Sequence, residues 1–236
     1  MIYNKINLFI PTYKRVKNQK LIRFINSAVN CADKIENIHL TFLVNFNDTE
    51  TLEYLNKQKD FSYEILLWEE INKPSLGKMY NFIYENTKHK EGYIISMLGD
   101  DMEFQTRGYD NAIIDVINKR NGYCLVYCND GFQKNKLCVN LFTTRKLVEL
   151  TQFPFMYEKF DAYFIDTVWM IVSKKLKIDV YLNNIIIKHH HVSLDLKTID
   201  ETYARLKKER LNFKQGYNLV NKYSQKVIKN LKGVVL

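Results

Sequence analysis

The sequence predicts an α/β fold: a Rossmann-like αβα sandwich on a mainly parallel sheet, with a C-terminal helical extension. Three observations carry this. Across the first hundred residues, short apolar runs alternate strictly with segments of helical period, the signature of consecutive βα units. The first such run is apolar on both faces, as strands covered by helices on either side are. Beyond residue 200 the apolar positions return at helical spacing, which marks an amphipathic helix or helix pair.

Ile6 to Ile10 reads as the first strand, stopping at Pro11. Leu21, Phe24, Ile25, Ala28 and Val29 recur as one helix face, and His39 to Phe46 is the second strand. Asp48-Thr49-Glu50 has the chemistry of a helix start. Tyr63–Trp68 is a third strand, Leu76–Tyr84 a helix and Tyr93–Leu98 a fourth strand. A helix follows over Tyr109–Lys119, with Ile113, Ile114 and Ile117 inward, then strands at Tyr123–Tyr127 and Leu137–Phe142. Phe164–Lys175 reads as a helix, and Val180–Leu182 and Ile185–His191 as two strands. The segment Asp200–Leu231 places Tyr203, Leu206, Phe213, Tyr217, Val220, Tyr223 and Val227 on one stripe. No repeat, linker or low-complexity stretch interrupts the chain, so residues 1–199 read as one domain and 200–236 as an extension packed on it.

Composition narrows the class. The 236 residues are 46% hydrophobic and 14% aromatic, which belongs to a globular protein with a substantial core. The net charge is +9. Residues 1–200 carry 26 basic and 24 acidic side chains, whereas residues 201–236 carry nine and two. The basic character therefore belongs to the tail. Four cysteines (Cys31, Cys124, Cys128, Cys138) with no close CxxC pair suit buried thiols in a reducing cytosol. No apolar run reaches the ~20 residues that span a bilayer, and the N-terminus lacks secretory-signal character. A soluble, cytoplasmic protein is expected.

In an open parallel sheet, ligands bind outside the carboxyl ends of the strands. Those ends read Pro11-Thr12-Tyr13-Lys14-Arg15, Asn45-Phe46-Asn47-Asp48 and Gly99-Asp100-Asp101. Adjacent carboxylates repel unless a cation or hydrogen-bond donors compensate. A hard divalent ion is the usual partner, because it takes oxygen ligands and bridges them to phosphates. The same pair also serves as a helix cap or solvated turn. His189-His190-His191 closes a strand-like run, so His189 and His191 face one side and His190 the other. Imidazoles beside a carboxylate suit Mn²⁺ better than Mg²⁺. A Walker-type P-loop, a GxGxxG loop and a GxSxG elbow are all missing, so metal and side chains would have to hold any phosphate.

These motifs resemble those of GT-A fold glycosyltransferases, particularly the large inverting family that uses nucleotide-diphosphate sugars. Pro11-Thr12-Tyr13-Lys14-Arg15 resembles the family's opening motif, and Leu98-Gly99-Asp100-Asp101-Met102 occupies the place of its Asp-x-Asp metal motif. The run Gly99–Asp110 is similar to a phage and bacterial subgroup with a Gly-Asp-Asp motif. That subgroup continues with a helix Asp, a His-x-His strand end and an Asp-x-x-Tyr. Here these resemble Asp166, His189-His190-His191 and Asp200-Glu201-Thr202-Tyr203. The likeness spans roughly residues 5 to 205.

The resemblance implies a role for each matching residue. Pro11, Thr12, Tyr13 and Arg15 would line the nucleotide, with Tyr13 stacked on the base. Asn45 stands where many relatives carry an acid that reads uracil, and Lys78 would reach the diphosphate. Asp100 would contact ribose or metal-bound phosphate. Asp101 would ligate Mn²⁺ or Mg²⁺, with His189 or His191 completing the shell. Asp166 would be the catalytic base, with Asp161 as substitute. The expected donor is a UDP-sugar. The acceptor is a surface glycan or a hydroxymethylated base in DNA, and the basic tail is its candidate contact. Two other readings stand beside this one: a nucleotidyltransferase, and a non-catalytic sugar- or nucleic-acid-binding protein on the same scaffold.

Overall fold

The computed structural model describes residues 2–69, 75–160, 163–191 and 213–232. Among the described residues, eight strands form one sheet: β1 (Lys5–Thr12), β2 (Ile38–Asn45), β3 (Tyr63–Trp68), β4 (Tyr93–Met97), β5 (Met102–Phe104), β6 (Leu125–Asn129), β7 (Leu141–Thr144) and β8 (Asp179–His189). Their order is β3-β2-β1-β4-β7-β6-β8-β5. The first four run parallel. β7 is antiparallel to both β4 and β6, β8 is parallel to β6, and β5 is antiparallel to β8. The helices are α1 (Lys20–Cys31), α2 (Thr49–Asn56), α3 (Leu76–Asn86), α4 (Tyr109–Lys119), α5 (Arg145–Leu150), α6 (Ile165–Leu176) and α7 (Phe213–Leu231).

Both faces of the sheet are covered, as the apolar runs required. Leu8, Ile10, Phe42 and Ile94 point into a layer built by α1, α2 and α4. Phe9, Leu43 and Ile95 point to the other face, against α3, α5, α6 and α7. Each of these side chains is essentially fully buried, and each contributes roughly 1.5–3 kcal/mol by leaving water. Val220, Tyr223, Val227 and Leu231 of α7 belong to the second layer, so the C-terminal helix is part of the core there.

Several boundaries differ from the sequence reading. β1 does not stop at Pro11 but runs to Thr12, with Pro11 opposite Leu43 of β2. The N–H of Phe9 points toward β4, donating to Ser96 Oγ at 3.1 Å. Pro11, two residues on, faces the same side, beyond the last β1–β4 pair at Asn7 and Ile95. Its missing N–H therefore costs no ladder bond. The strand expected over Leu137–Phe142 lies instead at Leu141–Thr144, after a 3₁₀ turn at Lys134–Lys136. Asn140 explains the shift: its side chain accepts from Cys128 N at 2.7 Å and donates to Ile187 O at 3.3 Å. It thus stands in for a backbone ladder. The two strands expected over 180–191 are one strand, β8, whose register with β6 slips between Cys128 and Asn129. β5 and α5 had no periodic signal of their own. Of the tail, Asp200–Asn212 lies outside the described residues.

Candidate active site

The carboxyl ends of β1, β2 and β4 bring three of the predicted motifs together. Thr12 ends β1 and donates its hydroxyl to Asp100 Oδ2 at 2.8 Å. Arg15 Nε lies 3.6 Å from the same oxygen. Asp100 is buried, and burial is the chief reason its carboxyl is pushed up to about 6. Asp101 adds to the rise, and Arg15 and Thr12 oppose it. Beneath the pair, Tyr80 of α3 donates to Leu98 O at 2.7 Å and pins the strand end. Burial, then the charges of Asp100 and Asp101, drive its phenol well above the usual value. Sequence reasoning missed Tyr80, which reads as an ordinary core aromatic of α3.

Asp101 faces the other way. Its Oδ1 lies 3.4 Å from His189 Nε2 at the end of β8. Burial disfavours the charged imidazole, but the hydrogen bond and charge of Asp101, with Asp130 and Asp166 behind it, leave His189 raised above its ordinary value. A Cβ on Gly99 would stand 2.5 Å from that same Oδ1. The missing side chain at Gly99 therefore leaves room for the Asp101 carboxylate. The histidine alternation holds: His191 turns its ring to 5.2 Å from that of His189, while His190 Nε2 meets Glu103 Oε2 at 2.8 Å on the other side. His191 stacks on Phe132 at 5.6 Å, and burial, followed by the charge of His189, lowers its pKa. Asp130 braces this wall, accepting from the backbone N–H groups of Phe132, Gln133 and Lys134. Its own carbonyl receives His189 N at 3.0 Å.

Among the described residues, no three His, Cys, Asp or Glu side chains form a group able to hold a metal on their own. The donor chemistry nevertheless fits a shared ion. A carboxylate oxygen and an imidazole nitrogen 3.4 Å apart at one strand end are donor types that suit Mn²⁺. Asp166 lies in the first turn of α6, half-buried, with Thr167 Oγ1 3.2 Å from its Oδ1. Burial pushes its pKa up to about 6.

The turn from Tyr13 to Arg15 is shaped by a side chain whose sequence signal was only a helix start. Asp48 caps α2, accepting from Thr51 N at 3.3 Å, and also takes Lys14 N at 2.6 Å. It thereby holds Lys14 at a φ of 54°, a left-handed conformation a lysine seldom adopts. This fixes the turn that presents Tyr13, 40% exposed, and sends Arg15 back to Asp100. Asn45 ends β2 and uses its Oδ1 to receive Asn47 N at 3.1 Å. Lys78 is exposed on the first turn of α3, where its N–H is capped by Ser75 Oγ. Among the described residues, its ammonium makes no ion pair with Asp100 or Asp101. Asp161 and Asp200–Tyr203 lie outside the described residues.

This arrangement of strands and helices recurs in known structures. S. aureus TarS 1–349 in complex with UDP-GlcNAc matches 94% of this chain and 72% of its own, with a TM-score of 0.62 and 10% identity. The chain carries a GT-A-type fold. Another structure of TarS 1–349 matches over 78% of this chain at TM-score 0.60 and 11% identity. The mannosyltransferase PcManGT from Pyrobaculum calidifontis, in complex with GDP-Man and Mn²⁺, matches over 80% at TM-score 0.58 and 8% identity. In those two alignments the chain spans 59% and 57% of the other protein's length. No protein-family model and no curated protein sequence matches the chain.

Proposed function

We propose that this chain is a metal-dependent glycosyltransferase. It moves a sugar from a nucleotide-diphosphate sugar, preferentially a UDP-sugar, to an acceptor hydroxyl with inversion. The observation that carries the reading is the Asp100–Asp101 pair at the end of β4. One carboxylate is tied to the first-strand motif through Thr12, and the other faces His189. That this site sits in a fold shared with proteins bound to UDP-GlcNAc or to GDP-Man and Mn²⁺ supports it.

Tyr13 stacks on the base, while Pro11, Thr12 and Asn45 line the base and ribose. Arg15 and Thr12 hold Asp100 in place toward the ribose. Asp101, with His189 or His191, would hold Mn²⁺ or Mg²⁺, and the ion would neutralise charge on the departing nucleoside diphosphate. Lys78 reaches the diphosphate from α3. Asp166 takes the proton of the acceptor hydroxyl as its oxygen bonds to the anomeric carbon and the bond to phosphate breaks. Residues 1–199 form the transferase domain and 200–236 the acceptor-side extension. The acceptor is a surface glycan or a hydroxymethylated base in DNA, met in the cytoplasm. Among the described residues, no helix is long and apolar enough to cross a membrane.

Thermal melting with a panel of nucleotide sugars, with and without Mn²⁺, tests the reading, because a donor site stabilises the fold by mass action. Stabilisation that needs Mn²⁺ and disappears in Asp101→Ala is expected. Asp166→Asn should bind donor normally and fail to transfer. No stabilisation by any nucleotide sugar would end the proposal. Stabilisation without donor hydrolysis or transfer would favour the non-catalytic binder, and pyrophosphate release from a nucleoside triphosphate the nucleotidyltransferase.

A further inference from the structure

One prominent feature lies outside the donor site. Residues 213–232 contain five lysines and no acidic residue. The apolar stripe of α7 is spent on the core: Val220, Tyr223, Val227 and Leu231 are buried, Tyr223 donates to Pro154 O at 3.2 Å, and Asn230 Nδ2 to Thr151 O at 2.7 Å. What remains outward is Asn218, Asn221, Lys222, Gln225, Lys226, Lys229 and Lys232, all exposed. Spacings of three and four residues place these on one continuous face.

We propose that this face of α7 is a docking surface for the backbone of duplex DNA. It rests on the transferase reading only in making the bound polymer the carrier of the acceptor. Among the described residues, Lys222, Lys226, Lys229 and Lys232 have no ion-pair partner. Lysines four apart repel along a helix, and glutamates between them would have strengthened it. A face kept uniformly cationic is complementary to a polyanion. Lys222 to Lys232 covers about 15 Å of helix axis, a length over which duplex DNA presents about nine phosphate charges. Asn218, Asn221 and Gln225, interleaved with the lysines, have the hydrogen-bonding groups that meet phosphates and base edges. A lipid surface fits less well. A helix lying on a membrane buries an outward apolar face, but here that face is turned to the core. Tyr217 is the one large apolar side chain exposed on α7 among the described residues, and its ring stands edge-on against Phe164.

The test uses the full chain and a short fluorescent DNA duplex, titrated over a salt series, beside vesicles rich in anionic lipid. Each lysine–phosphate contact adds about −0.9 to the slope of log K against log salt. The triple variant Lys222→Gln, Lys226→Gln, Lys229→Gln should melt like wild type, lose at least about tenfold in DNA affinity at low salt, and flatten the slope by about 2 to 3. Three results would each overturn the proposal: no DNA binding at low salt, the same affinity and slope in the variant, or vesicle binding in place of DNA binding. Nucleotide-sugar melting on the same samples separates the two claims. Donor stabilisation without DNA binding sinks this proposal alone, and DNA binding without donor stabilisation sinks the transferase reading alone.

Discussion

Replacing Gly99 by alanine should disable the site while leaving the fold nearly intact. An ordinary contact begins at 3.4 Å and the new Cβ would stand 2.5 Å from Asp101 Oδ1, so that carboxylate must retreat by about 0.9 Å. The atom it meets is the tip of a rotatable side chain, so the fold loses the cost of an off-rotamer Asp101, about 0.5–1.5 kcal/mol, and part of that carboxylate's contact with His189. The same oxygen faces His189 Nε2 at 3.4 Å. The displaced carboxylate also leaves the position in which it would meet the ion, and losing one charge-assisted contact there costs about 1.5–3 kcal/mol, or roughly 10- to 150-fold in metal-supported donor affinity. Melting curves of Gly99→Ala without ligand, then with UDP-sugar and Mn²⁺, separate the two effects. The expected result is a nearly unchanged apo transition and a donor-induced shift that is lost. Wild-type Mn²⁺-dependent stabilisation and turnover in the variant would refute the role given to Asp101. A collapse of the apo transition would refute the claim that only a side-chain tip must move.

Three further outcomes are expected. Thr12→Val removes the hydroxyl that donates to buried Asp100 and should cost about 1–3 kcal/mol in urea unfolding; an unchanged midpoint would show that Arg15 suffices. Because burial raises Asp166 to about 6, and a base must be deprotonated, kcat/KM should climb about tenfold per pH unit below that value and level off above it. The limb should vanish with the activity in Asp166→Asn, and a profile flat through pH 5 would exclude this residue as the base. At the opposite end of the sheet, burial works to raise the pKa of Glu64. The imidazole of His39, 3.8 Å away, and hydrogen bonds from Thr87, the Lys88 N–H and Thr41 outweigh it and bring it to about 2, from an ordinary 4.5. A carboxylate lowered on folding stabilises fully above its unfolded pKa, so that stability should be lost as pH falls from about 4.5 toward 2. Glu64→Gln should flatten that acid limb, and an unchanged pH–stability curve would contradict the assigned hydrogen bonds.

How much of this was legible beforehand depends on whether the signal was periodic. β1 to β4 and their helices were readable because both faces of each strand are covered, so every residue in the run had to be apolar. β5 is three residues long and α5 six, too short for any period to show. β8 read as two strands because Asn183 and Asn184 interrupt its apolar pattern at the register slip against β6. The strand-end motifs were legible as concentrations of polar groups, but their partnerships were not. Thr12 and Asp100 are 88 positions apart, and Asp101 meets a histidine on a strand from the far half of the chain. Asp48 looked like a helix cap and is one; that it also holds Lys14 follows from β1 and β2 lying side by side.

By itself, the sequence determined the α/β class, the parallel first half of the sheet, the strand ends where polar groups collect, and the concentration of positive charge in the tail. Those properties are local: each follows from period, composition or a short motif within a single segment. Only the tertiary structure decided that Asp100 and Asp101 have different partners, that Gly99 makes room for Asp101, and that the lysines of α7 face outward while its apolar stripe joins the core. These depend on which strands become neighbours and in what register. That outcome is set by burying both faces of one sheet at once, which no single segment encodes.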